Sequence, residues 1–230
     1  MNPQWAFAEF RDTFLANVRL RSRTVKGNVQ HTNVSVLKLP LLLEGRRLQE
    51  QLATNLQITA EMLYCTAAVT HSINYVWCKA AFNAWFDRLQ DGLLDMLGYK
   101  EKARSLGISV PNPRYRIWEV SYNPASPKPT EIDERMQVFY KQLTERMLLP
   151  VISSDKRAMA ELLAFADREL DSVIHPWLDG CGRFATAVVM WIAARVPQMP
   201  LPQYGGREEH YKAIETLESH TEYFLRCLNR

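Results

Sequence analysis

Apolar side chains recur at intervals of three and four residues in most long segments of this chain. The pattern is clear in Pro3 to Leu20, Ile58 to Leu97 and Pro129 to Leu149. Such spacing puts the apolar side chains on one face of a helix, where they pack against neighbouring helices. Glycine is scarce, at 9 of 230 residues. The sequence therefore predicts a mainly α-helical fold.

Three further helices are expected toward the C-terminus. Ser153-Ser154-Asp155 provides N-cap side chains for a helix that runs to about Ile174. Phe184 to Ala194 is a strongly apolar helix that ends near Arg195. A last helix is predicted from roughly Glu208 to Leu228.

One segment has the alternation of a β-strand instead of the helical period. Arg114 to Tyr122 alternates between its two faces and runs into Asn123-Pro-Ala-Ser-Pro-Lys-Pro129, which is rich in turn residues. This combination predicts a small β-hairpin flap over residues 114–128, and no other segment has a convincing strand pattern.

Composition and charge exclude several classes of protein. Apolar residues make up 47% and charged residues 23% of the chain, which is typical of a soluble globular domain and not of a disordered one. The net charge of +3 is too small to argue for nucleic acid by itself, so we do not expect nucleic acid as the partner. No apolar run reaches the roughly 18 residues that a membrane span needs. Glu9, Arg11 and Asp12 interrupt any signal-peptide pattern. We expect a cytoplasmic protein, or an effector exported without a readable signal.

The four cysteines do not indicate a metal or redox motif. They lie at positions 65, 78, 181 and 227, without a CxxC pair and without histidines at zinc-finger spacing. Cys65 and Cys78 lie in apolar helical surroundings, so we expect both to be buried free thiols.

The segment with the most chemical information is Ile174-His-Pro-Trp-Leu-Asp-Gly-Cys-Gly-Arg-Phe184, between two predicted helices. Its glycines allow backbone N–H groups to converge on an anion at the start of a helix, where the helix dipole adds about half a positive charge. Arg183 can fork onto phosphate oxygens. Asp179 can hold Mg²⁺, and His175 can take the proton from an attacking hydroxyl. These residues predict a phosphate-binding helix start with a general base beside it.

The residues of this segment also have other interpretations, most of them structural. His175 could be a helix-end histidine that only hydrogen-bonds to backbone, and Arg183 a charge near the helix cap. Cys181 could be a nucleophile, because a helix N-terminus lowers the pKa of a thiol. Trp177 is expected to pack in the core.

The loop resembles that of the Fic family, which has the form H-P-F-x-D/E-G-N-G-R-x-x-R. This chain reads His175-Pro-Trp-Leu-Asp-Gly-Cys-Gly-Arg-Phe-Ala-Thr186. The strand pattern at residues 114–122 is similar to the β-hairpin flap of that family, and Tyr211 to Leu228 to its closing helix. Ser22-Arg-Thr-Val-Lys-Gly-Asn28 resembles the family's N-terminal inhibitory motif. The resemblance implies a single domain, with an inhibitory-type helical segment at 1–40 and a core at 80–230.

The resemblance implies a transferase that moves AMP from ATP onto Ser, Thr or Tyr of a target protein; relatives transfer UMP, phosphate or phosphocholine. His175 would be the catalytic base and Asp179 the ligand of Mg²⁺. Self-modification and a homodimer are also compatible with this resemblance. The phosphate-binding positions would be Gly180, Cys181, Gly182 and Arg183. The target would pair with the flap residues Arg116, Ile117, Trp118, Glu119, Val120 and Ser121, by addition of a β-strand.

Three positions depart from the family pattern. Cys181 replaces an asparagine that contacts phosphate, Thr186 replaces the second arginine, and Lys26 replaces the inhibitory glutamate that pairs with that arginine. We hypothesise that Lys26 restores the positive charge lost at Thr186 and contacts the donor phosphates. The alternatives are a different transferred group, or an inactive Fic-like protein that only binds a partner.

Overall fold

The computed structural model describes residues 5–21, 23–25, 28–30, 43–69, 73–96, 115–116, 126–147, 155–177, 179–196 and 199–230. The elements of the first half are α1 (Phe7–Arg21), β1 (Arg23–Val25), β2 (Asn28–Gln30), α2 (Leu43–Val69), α3 (Tyr75–Leu89) and α4 (Leu93–Met96). Those of the second half are a 3₁₀ turn (Pro129–Glu131), α5 (Ile132–Met147), α6 (Lys156–Arg168), a π-helical turn (Glu169–Val173), α7 (Cys181–Arg195), α8 (Arg207–Ala213) and α9 (Leu217–Cys227). The prediction of a mainly α-helical fold is confirmed.

Helix α7 is the centre of the fold. Every residue from Arg183 to Ala193 is buried, and a helix that is apolar on all sides can be stable only when other elements surround it. Helices α1, α2, α3 and α6 pack around α7. The N-terminal end of this buried helix carries the loop that the sequence analysis singled out.

An aromatic cluster joins the loop to the core. The rings of Trp177 and Phe184 lie 4.4 Å apart between centroids, and Phe86 of α3 stacks on Trp177 at 5.1 Å. Trp177 is only 1% exposed, so the prediction that it packs in the core is confirmed. Because aromatic side chains bury large apolar areas, this cluster holds the loop against the core.

Helix α6 begins where the sequence predicts. Asp155 is the N-cap residue, and its side chain accepts a hydrogen bond from the backbone N–H of Arg157 at 2.8 Å. The predicted helix to about Ile174 continues past α6 through the π-helical turn. In that turn the Ile174 N–H donates to the Glu169 carbonyl at 2.8 Å.

The predicted β-hairpin flap is not supported. Within residues 114–128 the structure describes only 115, 116 and 126–128. Tyr115 forms an isolated antiparallel bridge with Trp177, and the Arg116 N–H donates to the Pro176 carbonyl at 2.9 Å. The extended backbone here therefore pairs with the loop before α7, and not with a second flap strand among the described residues.

A short antiparallel pair occurs at the end of α1, where no strand was predicted. Strands β1 and β2 align Arg23 with Gln30, Thr24 with Val29 and Val25 with Asn28. Residues 26 and 27 between the strands lie outside the described part of the chain.

The predicted single C-terminal helix is two helices, α8 and α9. The break occurs because Thr216 acts as an N-cap, its hydroxyl accepting from the Ser219 N–H at 3.1 Å. The Ser219 hydroxyl in turn donates to the carbonyl of Ala213 at 2.7 Å. The bend brings His210 of α8 and His220 of α9 together, with ring centroids 5.1 Å apart.

The two cysteines that were predicted to be buried differ in their exposure. Cys78 is buried as predicted, but Cys65 is exposed, because its position on α2 faces away from the helices that cover Leu63.

Among the helices that the structure describes, none combines the length and the apolar character that crossing a membrane requires.

Candidate functional site

His175 has a strained backbone. Its φ is 45°, in the left-handed region that residues with a Cβ rarely adopt. Such a conformation costs about 1–2 kcal/mol and persists only where the surrounding structure enforces it. Its Nδ1 lies 2.8 Å from the backbone carbonyl oxygen of Asp171. Since a carbonyl oxygen only accepts, Nδ1 carries the proton, and in the neutral ring Nε2 is then the basic nitrogen.

Arg116 holds the loop in place through hydrogen bonds to backbone carbonyls. Its Nε donates to the His175 carbonyl at 2.8 Å, and its Nη2 donates to the Pro127 carbonyl and, at 3.4 Å, to that of Ile174. The side chain is 2% exposed. Arg116 was predicted to lie on an exposed docking strand, but it is a buried residue that positions the loop. The other predicted docking residues, 117–121, lie outside the described part of the chain.

Asp179 and Arg183 form a buried ion pair. Arg183 Nη2 lies 2.5 Å from Asp179 Oδ2, and the two side chains are 9% and 5% exposed. Between them Gly180 has a φ of 78°, and a Cβ there would lie 2.3 Å from Gln90 Nε2 and 2.7 Å from Arg183 Nη2. Gln90 Nε2 also donates to the Asp179 carbonyl at 2.9 Å. The loop conformation therefore favours glycine at position 180, and a Cβ there would also displace the ends of the Gln90 and Arg183 side chains.

The start of α7 faces two carboxylates. Gly180 is the N-cap and has no side chain with which to cap the helix. A Cβ on Gly182 would lie 3.0 Å from Asp171 Oδ1, so the Asp171 carboxylate packs against the backbone there. The Asp179 carboxylate pairs with Arg183 in the first turn of the same helix. Negative charge is favourable at a helix N-terminus, and these acidic groups already supply it.

Cys181 contributes only its backbone to this helix start. Its thiol points into the core, where Sγ donates to the Trp177 carbonyl at 3.6 Å, and the residue is 2% exposed. Burial, reinforced by the Asp171 carboxylate, raises the pKa of Cys181 well above its ordinary value. A thiol that stays protonated is a poor nucleophile, so this geometry argues against catalysis by Cys181.

The guanidinium of Arg21, at the end of α1, places a positive charge beside Thr186. Arg21 Nη1 donates to Thr186 Oγ1 at 3.1 Å and to Asp167 Oδ1 at 2.5 Å, while Nη2 donates to Asp171 Oδ2 at 2.6 Å. The hypothesis for Lys26 stays a prediction, since that residue lies outside the described part of the chain.

Sequence reasoning missed Arg21, although a signal was available. Arg21 lies three and seven residues after Val18 and Phe14, on the same face of α1, and both of those residues are buried. An arginine on the apolar face of a helix must find buried acidic partners. Burial by itself would lower the pKa of Arg21, but Asp167 and Asp171 outweigh that effect and raise it.

A second cluster, which we call the Asp–His cluster, consists of Asp167, His210 and His220. Asp167 Oδ2 lies 2.8 Å from His220 Nε2 and 3.4 Å from His210 Nε2, and no side chain of the cluster is more than 1% exposed. Burial alone would raise the pKa of Asp167, but Arg21 and both histidines hold it well below its ordinary value. The three residues come from α6, α8 and α9, and no sequence motif connects them.

The predicted loop residues therefore lie together at the start of α7, and the Asp–His cluster adjoins them through Arg21. No protein-family model matches the chain, and no curated protein matches it significantly. The function of the site is accordingly inferred from its residues and geometry.

Proposed function

We propose that this protein is a Fic-like transferase that moves AMP, or another nucleotide-derived phosphoryl group, onto a Ser, Thr or Tyr hydroxyl of a target protein. The observation that carries this proposal is the conformation of His175. The loop holds His175 at a φ of 45°, and the Nδ1–H group of His175 donates a hydrogen bond to the Asp171 carbonyl. Backbone strain of this kind is concentrated at functional sites.

The proposed chemistry uses His175 as the general base. The hydroxyl oxygen of the target forms a bond to the donor phosphorus, and the bond from phosphorus to the leaving pyrophosphate breaks. The hydroxyl proton goes to Nε2 of His175. The backbone N–H groups at the start of α7 and the guanidinium of Arg183 would stabilise the charge on the phosphoryl oxygens.

Asp179 fits the role of a magnesium ligand. It supplies a carboxylate oxygen, and Mg²⁺ in nucleotide sites is usually held by one or two carboxylates together with the phosphates of the substrate. When bound, the ion would neutralise charge on the donor phosphates. The pairing of Asp179 with Arg183 keeps both charges neutralised, so donor binding would exchange that ion pair for contacts with the metal and the phosphate.

A specific observation favours one alternative, a catalytically inactive protein that binds a partner. The Asp179–Arg183 pair and the Asp171 carboxylate at Gly182 already occupy the groups that a donor phosphate would need. If this arrangement is permanent, the loop is a structural feature. The two functions differ in whether a nucleotide binds and whether a group is transferred.

Intact-protein mass spectrometry tests the proposal. The full chain would be incubated with Mg²⁺ and, separately, ATP, UTP, GTP, CTP and CDP-choline, with and without a cell extract as a source of targets. We expect a mass gain on the protein or on a target, and the added mass identifies the transferred group. The thermal stability of the chain with each nucleotide reports binding independently of transfer.

Two substitutions of His175 separate the base from the backbone. His175→Asn removes the imidazole but keeps a residue that tolerates positive φ, whereas His175→Ala removes both properties. We expect both variants to lose transfer, and the Asn variant to keep nucleotide binding. Transfer that survives in His175→Asn would exclude His175 as the base. If the wild type shows no transfer and binds no nucleotide, the result would favour the partner-binding alternative.

A further inference from the structure

We propose that the Asp–His cluster is a binding site for a divalent transition-metal ion such as Zn²⁺. The site would be separate from the loop that carries the proposed transferase chemistry. Two imidazoles and a carboxylate are ligands that suit Zn²⁺ and neighbouring transition metals, whereas Mg²⁺ prefers oxygen ligands alone.

The spacing of the ligand atoms fits such an ion. Zinc lies about 2.0–2.2 Å from its nitrogen and oxygen ligands in a tetrahedron, so neighbouring ligand atoms are about 3.4 Å apart. Here Asp167 Oδ2 is 2.8 Å from His220 Nε2 and 3.4 Å from His210 Nε2. All three ligand atoms lie within 4.8 Å of one another. Only small side-chain shifts are needed to coordinate an ion.

His210 provides an independent indication of a ligand. It is 1% exposed, and within the described residues neither ring nitrogen makes a hydrogen bond. Buried polar groups without partners are rare in folded proteins. Its Nε2 is directed toward two carboxylates, Asp167 at 3.4 Å and Asp171 at 4.0 Å. A metal ion between these groups would give the ring the partner that it lacks.

The surroundings of the cluster direct one carboxylate oxygen at the imidazoles. Asp167 and Asp171 supply two carboxylates, and Arg21 and Arg207 are the cations that act on His210. Arg21 binds Asp167 through Oδ1, which leaves Oδ2 directed at the histidines. A metal ion would therefore meet one carboxylate oxygen and two imidazole nitrogens that face one another.

An ion here would connect three helices. Asp167 belongs to α6, His210 to α8 and His220 to α9. Since the ion would bind the folded chain and not the unfolded one, it would raise the thermal stability. At a free zinc concentration 100 times the dissociation constant, a chain of this size would gain about 5–11 °C in Tm.

Metal analysis and thermal unfolding of the full chain test this proposal. After treatment with EDTA and its removal, added Zn²⁺ should bind with one ion per chain and raise the Tm. His210→Gln and His220→Gln keep similar size without the ligand nitrogen, and each should weaken binding by more than about 10–100-fold, the effect of losing even an outer-shell partner. Cys65→Ser is the matched control, because its exposed thiol is the obvious adventitious ligand, and this variant should bind zinc as the wild type does.

X-ray absorption spectroscopy of the zinc-loaded wild type keeps the test decisive if a variant does not fold. Imidazole scattering with nitrogen and oxygen at about 2.0–2.2 Å is expected. An environment of oxygen or sulfur alone, zinc binding that survives in both histidine variants, or no zinc-dependent change in Tm would each overturn the proposal.

Discussion

Replacement of Arg21 by methionine is the sharpest test of how the structure is held together. The guanidinium of Arg21 is bonded at once to Asp167, Asp171 and Thr186, and the Arg21 side chain is 3% exposed. Methionine retains most of the volume of the side chain but not its charge. Two buried carboxylates and one hydroxyl would then lose their hydrogen bonds to the guanidinium, while Asp167 would keep its contacts with His220 and His210.

The expected loss follows from the burial of the acidic partners. Removal of one member of a buried ion pair costs about 3–5 kcal/mol, because the remaining charge stays buried without compensation. The side chains of Asp167 and Asp171 are 0% and 5% exposed, so water cannot replace the arginine. For a chain of this length, about 2–4 °C of Tm corresponds to 1 kcal/mol. Arg21→Met should therefore lower the Tm by about 6–20 °C.

Urea denaturation and thermal unfolding measure this effect, in the presence of EDTA so that no metal ion replaces the lost charge. Arg19→Met is the matched control: Arg19 lies on the same helix but is exposed, and its replacement should change stability by no more than about 0.5 kcal/mol. A loss below about 1 kcal/mol for Arg21→Met, or equal losses for the two variants, would refute the view that Arg21 is the central cation of a buried network.

Two further predictions concern the loop and the thiols. Gly180→Ala should destabilise the chain more than Gly92→Ala does. Both positions have a positive φ, which costs an alanine about 1–2 kcal/mol. Of these two positions, only 180 would also bring the new Cβ into a clash, 2.3 Å from Gln90 Nε2. Equal losses in urea denaturation would show that the loop relaxes freely around the added methyl group. In a thiol-reactivity assay at pH 8, Cys65 alone should react rapidly in the folded chain, because the other three thiols are buried and burial raises the pKa of each. All four should react in denaturant, Cys65→Ser should abolish the fast reaction, and a fast reaction that persists in this variant would contradict the assigned burial.

Local patterns in the sequence were sufficient to predict several elements. The apolar face of residues 132–147, the N-cap at Asp155 and the apolar run from Phe184 to Ala194 all appear in the structure as predicted. Each depends on residues within a few positions of one another, and helical periodicity and capping are properties of that range.

Where several segments compete for the same partner, the sequence was a poorer guide. The strand pattern at 114–122 predicted a hairpin, yet Tyr115 and Arg116 pair with the loop that precedes α7. Alternation shows that a segment is extended, but it does not show which backbone receives its hydrogen bonds. The division between α8 and α9 was missed because a single threonine cap outweighed the continuous helical pattern around it.

The proximity of the loop residues was determined by the sequence itself, because His175, Asp179, Gly180 and Arg183 lie within nine consecutive residues and cannot be far apart. Only the tertiary structure decided what surrounds them. Arg21 reaches Thr186 across 165 positions of the chain, and Asp167, His210 and His220 meet because three helices pack side by side. Contacts of this kind depend on which helical faces pack together, and apolar periodicity identifies a buried face without identifying the face that covers it.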